Sequence, residues 1–120
     1  MRFEINAEGV TLPVELHLYA ESRVGLSVHR AAGRLSFVGV RLRRDASHLS
    51  DSPIDCQLEA WIRGLGIVTA RHADPDVYVA IDRAAALLEQ AVTRKLQAIV
   101  AMEAQEQEEQ YVPLTSDAYL

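Results

Sequence analysis

The chain has 120 residues, of which 49% are hydrophobic, and this is enough for one compact domain but too little for two. No run approaches the ~18 consecutive apolar residues of a membrane span, and the N-terminus does not resemble a signal sequence, so we expect a soluble, cytoplasmic protein without membrane contacts. The single cysteine, Cys56, excludes a disulfide framework or a cysteine-rich metal site within one chain, and no basic neighbour in sequence activates its thiol.

The formal net charge of −5 is unevenly distributed along the chain. Residues 103–120 contain five acidic residues and no basic one, whereas residues 1–102 contain 12 residues of each sign. We therefore predict a domain at 1–102 followed by an acidic C-terminal tail at 103–120. Eleven of the 12 basic residues are arginine, which suits bidentate contacts with phosphate, although a GC-rich genome would also enrich arginine.

The first two predicted elements are a strand and a helix. Residues 2–6 alternate between polar and apolar, which predicts a half-buried strand with Phe3 and Ile5 on its inner face. After a break in which Thr11 is a candidate helix cap, residues 14–30 repeat apolar side chains at spacings of three and four. This spacing predicts an amphipathic helix.

Three further strands follow from the same alternation, at residues 37–43, 56–63 and 67–71. A polar stretch at 44–53 predicts a hairpin loop, and the glycine-containing turn at 64–66 joins the last two strands. The predicted inner faces of the second and third strands comprise Val38, Val40, Leu42, Leu58, Ala60 and Ile62.

The motif D-P-D at residues 74–76 predicts the start of a second helix. Asp74 can accept backbone N–H bonds as its cap, Pro75 suits the first helical position, and Asp76 complements the positive end of the helix. An apolar stripe then runs to about Met102. The resulting order, β-α-β-β-β-α, predicts an α+β fold with a four-stranded sheet and two helices packed on one face.

Catalysis is poorly supported by the residue types present. The histidines are scattered without the spacing of a helical metal site, and no nucleophile elbow, P-loop or dinucleotide fingerprint occurs. His72 and Asp74 could form a base and its orienting carboxylate, but neighbouring loop residues of this kind are usually just solvated. We therefore predict a protein that is not an enzyme and needs no cofactor or metal. The four histidines are His17, His29, His48 and His72.

Two surfaces could bind nucleic acid. On the helices, Arg83 and Arg94 are eleven residues apart and Arg23 and Arg30 seven apart, so each pair shares a helical face and the four could form a sparse basic row. On the uncovered sheet face, aromatic side chains among arginines would suit stacking of unpaired bases. There, the charges could equally serve only to keep an open sheet soluble. The residues of this second surface are Arg2, Phe37, Arg41, Arg43, Trp61 and Arg63.

Two segments resemble the ribosome hibernation promoting factor family, also called ribosome-associated inhibitors, which shares a domain with sigma modulation proteins. In V-T-A-R-H-A-D-P-D-V-Y-V-A-I-D, residues 68–82, the second helix begins in a way similar to the family signature A-S-x-x-x-x-D-M-Y-A-A-I-D. In the first helix, L-H-L-Y-A-E-S-R-V resembles the family's L-R-E-Y-V-E-x-K-L. The matching residues are Asp76, Tyr78, Ala80, Ile81 and Asp82, and Leu16, Tyr19, Glu21, Arg23 and Val24.

The resemblance, which covers roughly residues 1–100, implies a protein that binds the small ribosomal subunit where messenger and transfer RNA would lie and inhibits translation in stress. Family members do so with basic side chains on both helices and without a cofactor. Carried onto this chain, the rRNA contacts would be Arg23, Arg30, Arg83, Arg94 and Lys95.

The chain departs from the family pattern at positions expected to face outward. Leu26 and Leu87 stand where the family usually has bases, and Gln90 replaces another. This substitution pattern suggests an alternative function, in which the helical face binds protein, either a second copy or another partner, instead of the ribosome. Leu26, Leu87 and Trp61 are the candidate residues for such an interface, although isolated exposed leucines are common on protein surfaces.

Overall fold

The computed structural model describes residues 1–44 and 52–110, without the side chains of 104–110. Most of the predicted hairpin loop, including His48, and the end of the predicted tail lie outside these residues. The elements are β1 (Arg2–Glu8), α1 (Val14–Ser27), a 3₁₀ helix (His29–Arg34), β2 (Leu35–Arg43), β3 (Ile54–Ile62), β4 (Gly66–Asp74) and α2 (Val77–Gln110). The predicted order β-α-β-β-β-α and the α+β class are confirmed.

The four strands form one mixed sheet in the order β1-β2-β3-β4. β1 pairs in parallel with β2, whereas β2–β3 and β3–β4 are antiparallel. A parallel pair needs a long crossover connection, and α1 with the 3₁₀ helix supplies it. The tight turn after Ile62 links β3 to β4, and Gly64 and Gly66 both have a φ of +83°, which glycine adopts readily.

The core lies between one sheet face and the two α-helices. The register places Ile5 beside Val40 and Val40 beside Leu58, so the apolar faces predicted for β2 and β3 point the same way. Both helices bury an apolar stripe in the same cluster, which confirms that they pack on one face of the sheet. The helical stripes comprise Leu16, Ala20 and Val24 from α1, and Ile81, Ala85, Leu88 and Val92 from α2.

The ends of α1 differ from the prediction. Pro13, and not Thr11, occupies the cap position and makes no side-chain cap bond, because Thr11 lies too far before Val14 to reach the helix N–H groups. The helix ends at Ser27 instead of Arg30, where the chain tightens into the 3₁₀ helix. Val28 and Ala31 are thereby buried in the core, a packing requirement that local spacing does not reveal.

The start of α2 is displaced by two residues from the prediction. Asp74 is still paired with Ile54 as the last residue of β4, so the helix begins at Val77 and Asp76 is its cap. The Asp76 carboxylate accepts the Tyr78 N–H at 2.8 Å, and its carbonyl accepts the Ala80 N–H at 2.9 Å. Asp74 instead accepts the N–H of Asp76 at 2.9 Å, which orders the turn before the helix.

Other boundaries also extend beyond the sequence prediction. β1 continues to Glu8, β3 begins at Ile54, and β4 continues to Asp74 because its ladder with β3 remains paired. α2 runs to Gln110, past the predicted end near Met102, through a stretch rich in the good helix formers Glu and Gln. Among the described residues, none of the helices combines the length and the apolar character that crossing a membrane requires.

Candidate functional site

α1 and α2 lie side by side and run in the same direction. Tyr19 and Arg23 of α1 contact Asp82 near the start of α2. Arg30, just after α1, borders a groove together with Thr93 and Val100, which lie further along α2. The outer surface of this helix pair is where the sequence placed the basic row.

The two motifs that carry the family resemblance meet between the helices. The Tyr19 and Tyr78 rings pack edge to face, with centroids 4.9 Å apart, and the Tyr19 hydroxyl donates to a carboxylate oxygen of Asp82. The Arg23 Nε lies 3.4 Å from the same carboxylate. We call Tyr19, Arg23, Tyr78 and Asp82 the interhelical cluster. The hydrogen bond to Asp82, with burial, raises the pKa of Tyr19.

The interhelical cluster gives four of the motif residues a structural role. It joins α1 to α2 by a hydrogen bond, an ion pair and a ring contact, which together set the spacing of the two helices. Sequence reasoning recognised these residues singly and missed their contact. The sequence does contain a sign of this contact. Tyr19 and Asp82 are polar and flank the apolar stripes of their helices, where a partly buried polar group needs a hydrogen-bond partner.

The predicted rRNA contacts fall into two groups. Arg23 is held by Asp82 and its side chain is 27% exposed, whereas Arg30, Arg83, Arg94 and Lys95 are exposed to solvent. At about 100° of rotation per residue, Arg83 and Arg94 both lie roughly 100° to 120° around α2 from Asp82, and they are separated by ~16 Å along the axis. They therefore share the outer face of α2.

The bases do not form a continuous row. Leu87 and Gln90 interrupt the outer face between Arg83 and Arg94. Lys95 follows the buried Val92 by three residues, so it lies on the same side of α2 as the buried stripe but beyond the last buried residue. The helical surface is therefore of mixed character, with separate positive points among apolar and polar side chains.

The three predicted interface residues lie on three different surfaces. Leu26 of α1 is 67% exposed and Leu87 of α2 is 42% exposed. Leu87 lies about 140° around α2 from Asp82, which faces α1, so Leu87 points away from the other helix. Trp61 is on the opposite, uncovered face of the sheet. The structure therefore does not bring these residues together into one patch.

On the uncovered sheet face, the aromatic pair is largely engaged by its neighbours. Phe37 and Trp61 pack with centroids 5.2 Å apart, and the Arg2 guanidinium lies 5.4 Å from the Phe37 centroid. The Trp61 indole N–H donates to Glu59 at 2.7 Å, and Arg63 donates to the Gly33 carbonyl at 2.8 Å. These contacts cover part of the ring surface that a stacked base would need.

A trough of about 460 Å³ crosses the same face beside Phe37. Gly39 lines it beneath the Phe37 ring, which lies so close that a Cβ at this position would meet it at 2.9 Å. Its walls carry both signs of charge. Arg71 at one side is bound to Asp55, with 2.8 Å between Nε and a carboxylate oxygen. The trough is therefore nearly balanced in charge and does not extend the positive surface. Its charged lining residues are Glu4, Arg41, Glu59 and Arg71.

Two groups that could suggest catalysis, Cys56 and His72, lie opposite each other in the ladder between β3 and β4. Cys56 is fully buried, and burial together with the nearby Asp55 raises the pKa of its thiol to about 12, so it is not a nucleophile at neutral pH.

The remaining candidates do not form a metal site. His17 packs edge to face on Phe3 and lies 3.9 Å from Glu21. Within residues 1–44 and 52–103, whose side chains are described, no three potential metal ligands come together.

Comparison with solved structures finds the same fold in two other proteins. One is a ribosomal subunit interface protein from Coxiella burnetii, with 15% identity, a TM-score of 0.65, and coverage of 78% of this chain and 96% of that one. The other is the N-terminal domain of Protein Y from Thermus thermophilus, with 22% identity, a TM-score of 0.61, and coverage of 78% and 93%. This chain has their fold.

At these identities the likeness establishes the shared fold, and the fold expected from the sequence motifs is thereby confirmed. About a fifth of this chain has no counterpart in either structure. Neither a known protein-family model nor any curated protein matches the sequence.

Proposed function

We propose that this chain is a ribosome-binding translation inhibitor that contacts small-subunit rRNA through basic side chains on its two helices. The observation that carries the proposal is the fold it shares with a ribosomal subunit interface protein over nearly the whole of that protein. The motif residues support it, because both resembling segments converge in the interhelical cluster and so position the two helices.

The charge distribution limits how such binding would work. The 12 acidic and 12 basic residues of 1–102 cancel, so attraction to RNA depends on local placement and not on net charge. Arg30, Arg83, Arg94 and Lys95 are exposed and able to meet phosphates. With about four phosphates neutralised, the slope of log affinity against log salt would be roughly −3 to −4.

Co-sedimentation with purified small ribosomal subunits at low and high salt tests this proposal. We expect binding at low salt that weakens steeply as salt rises, and a reduced slope for the double variant Arg83→Gln with Arg94→Gln. Arg41→Gln removes the same kind of charge from the opposite face of the sheet and is the matched control. No co-sedimentation at low salt would contradict the proposal, and a stronger effect of the control would move the RNA contact to the sheet face.

A variant of Arg23 would not test the RNA contact alone. Its guanidinium is bound to Asp82, so replacing it would disturb the spacing of the helices as well as any phosphate contact. A loss of binding in Arg23→Gln would therefore not distinguish the two causes.

The alternative is a protein-interaction or homodimerisation module that does not bind the ribosome. It is favoured by the exposure of Leu26 and Leu87 at positions where the resemblance leads us to expect charges. Light scattering of the protein, of Leu26→Lys and of Leu87→Lys is the test. A loss of association in one variant would identify the helix involved. A monomer in all three samples would argue against self-association through these leucines.

A further inference from the structure

The C-terminal half of α2 extends beyond the core of the domain. Val92 is the last buried residue in the described part of the chain, and the helix continues for 18 residues to Gln110, or about 27 Å. Leu96 still packs at the edge of the core, but a helix of this length with so little support is only marginally stable in water, so a packing partner would stabilise it. We call residues 93–110 the distal helix.

The distal helix carries an apolar surface beside the 3₁₀ helix. Val100 is 64% exposed, although it lies on a helix whose earlier apolar residues are buried. A groove of about 350 Å³ lies along this surface, with Arg30 at its rim. The remaining lining residues are Thr93, Leu96, Gln97, Val100 and Ala101, so the groove floor is mainly apolar.

The charges on either side of this surface have opposite signs. Arg30 is the basic residue that lines the groove, whereas the acidic Glu103 follows Val100 by three residues on about the same side of the helix. Val100 is near the middle, with Gln97 three residues before it and Glu103 three residues after it, or about 4.5 Å in each direction.

We propose that a second copy of this chain docks antiparallel on the distal helix, with the twofold axis near Val100. An antiparallel arrangement places Glu103 of each copy opposite Gln97 of the other, in the groove that Arg30 of that copy lines. A parallel arrangement would place like charges together. The same surface is used by both copies, as a closed twofold dimer requires.

The size of the surface sets the expected strength of association. One helix against another buries less than the ~800 Å² per partner of a standard stable interface, so the dimer should form in the micromolar range or above. The proposal is independent of ribosome binding. It also uses none of Leu26, Leu87 or Trp61, so variants at those positions should leave the dimer intact.

Sedimentation equilibrium of the full chain from low micromolar to millimolar concentration tests the proposal. We expect a monomer–dimer equilibrium, and a dissociation constant raised by about tenfold or more when a charge enters the apolar surface in Val100→Lys. Leu18→Lys is the matched control, since Leu18 is 58% exposed on α1 outside the groove and should leave the constant unchanged. Circular dichroism should show that both variants remain folded.

Charge reversal distinguishes a second copy from other occupants of the groove. Arg30→Glu and Glu103→Lys should each weaken self-association when alone, because each places like charges together across the twofold axis. Mixing the two variants should restore a dimer, since both charge contacts are then between opposite signs.

Three outcomes would overturn the proposal. A monomer at every concentration would do so, because the groove would then be empty or covered by residues 111–120 of the same chain. Equal effects of Val100→Lys and Leu18→Lys would show that the distal helix is not the interface. A mixture no more associated than its separate components would exclude the antiparallel charge contacts.

Discussion

Asp82 of α2 binds two side chains of α1. The Tyr19 hydroxyl and the Arg23 guanidinium both bind its carboxylate, so one acidic group of α2 holds two positions of the other helix. The contact is partly buried, where an unpaired carboxylate would be costly. This explains why the tyrosine, the arginine and the aspartate occur together in a chain with this fold, whether or not any of them touches a partner.

Removing the Tyr19 hydroxyl should therefore reduce stability. We expect Tyr19→Phe to lower the free energy of unfolding by about 1 to 2 kcal/mol, because the Asp82 carboxylate loses a charge-assisted hydrogen bond while the ring stays in place. Urea denaturation measures the change. Tyr78→Phe is the control, since it keeps the ring contact and leaves the Asp82 bonds intact. Equal losses in the two variants would contradict a role for the hydroxyl bond.

Cys56 should make stability depend on alkaline pH. Burial raises the pKa of its thiol to about 12, while an unfolded thiol ionises near pH 9. The unfolded state therefore gains free energy by losing the proton, and stability present below pH 9 is lost between pH 9 and 12.

The size of this effect is at most about 1.4 kcal/mol per pH unit in that window. It is measured as the difference in pH dependence between the protein and Cys56→Ala, because tyrosines titrate in the same range. If the two curves were parallel above pH 9, Cys56 would not be buried as described. A thiol reagent at neutral pH should also react only after unfolding.

At the scale of elements, the cap of α2 is the clearest difference between expectation and structure. The Asp76 carboxylate accepts the Tyr78 N–H, whereas Asp74 is still paired with β3 as part of β4. The sequence indicated a helix start at D-P-D, but two aspartates in this motif offered cap chemistry. Only the length of the strand pairing decides which of them is the cap.

Asp76→Ala should lower the free energy of unfolding by about 1 kcal/mol, the usual cost of losing a helix cap. Thr11→Ala, at the position that the sequence suggested as the cap of α1, should change it by less than about 0.5 kcal/mol, as for an exposed surface residue. Chemical denaturation of both variants checks the pair. A larger loss in Thr11→Ala would place the cap of α1 at Thr11.

α2 itself divides into two parts of different stability. Its first part buries Ile81, Leu88 and Val92 against the sheet, whereas the distal helix has no buried residue among its described side chains. Amide hydrogen exchange in dilute solution should therefore be slow for residues 81–92 and faster by orders of magnitude for the distal helix. Equal protection in both parts at low micromolar concentration would contradict this division.

At the scale of the whole molecule, the two sides of the sheet differ in what they offer to a partner. The helix side carries exposed arginines at separate points, and the open side carries a charge-balanced trough with an aromatic pair already engaged. The ribosome proposal therefore uses the helix side, and the dimer proposal uses the part of α2 beyond the core.

Arg30 belongs to both proposed surfaces, so the two partners should compete. Adding small ribosomal subunits at low salt should shift the chain from dimer to monomer, in proportion to the subunits bound. Light scattering or crosslinking of a dimer-forming sample would measure this shift. If the dimer persisted in full when the protein was saturated with small subunits, Arg30 would take part in only one of the two contacts.

The sequence by itself determined the elements, their order and their inner faces. Periods of two and of about 3.6 residues are local properties of strands and helices, so Phe3, Val40 and Leu58 could be assigned to the core without a structure. The motifs around Tyr19 and Asp82 likewise indicated the fold, because they lie at fixed points of these elements. Helical spacing also placed Arg83 and Arg94 on one face of α2, but it did not show that Arg23 is bound to Asp82.

Only the tertiary structure decided how distant segments meet. The parallel pairing of β1 with β2, the early end of α1 and the placement of the α2 cap all follow from contacts between segments far apart in sequence. The contact of Tyr19 with Asp82 spans 63 positions, and no local pattern encodes it. The same holds for Leu26 and Leu87, which spacing could place on a helix but only packing could place on separate surfaces.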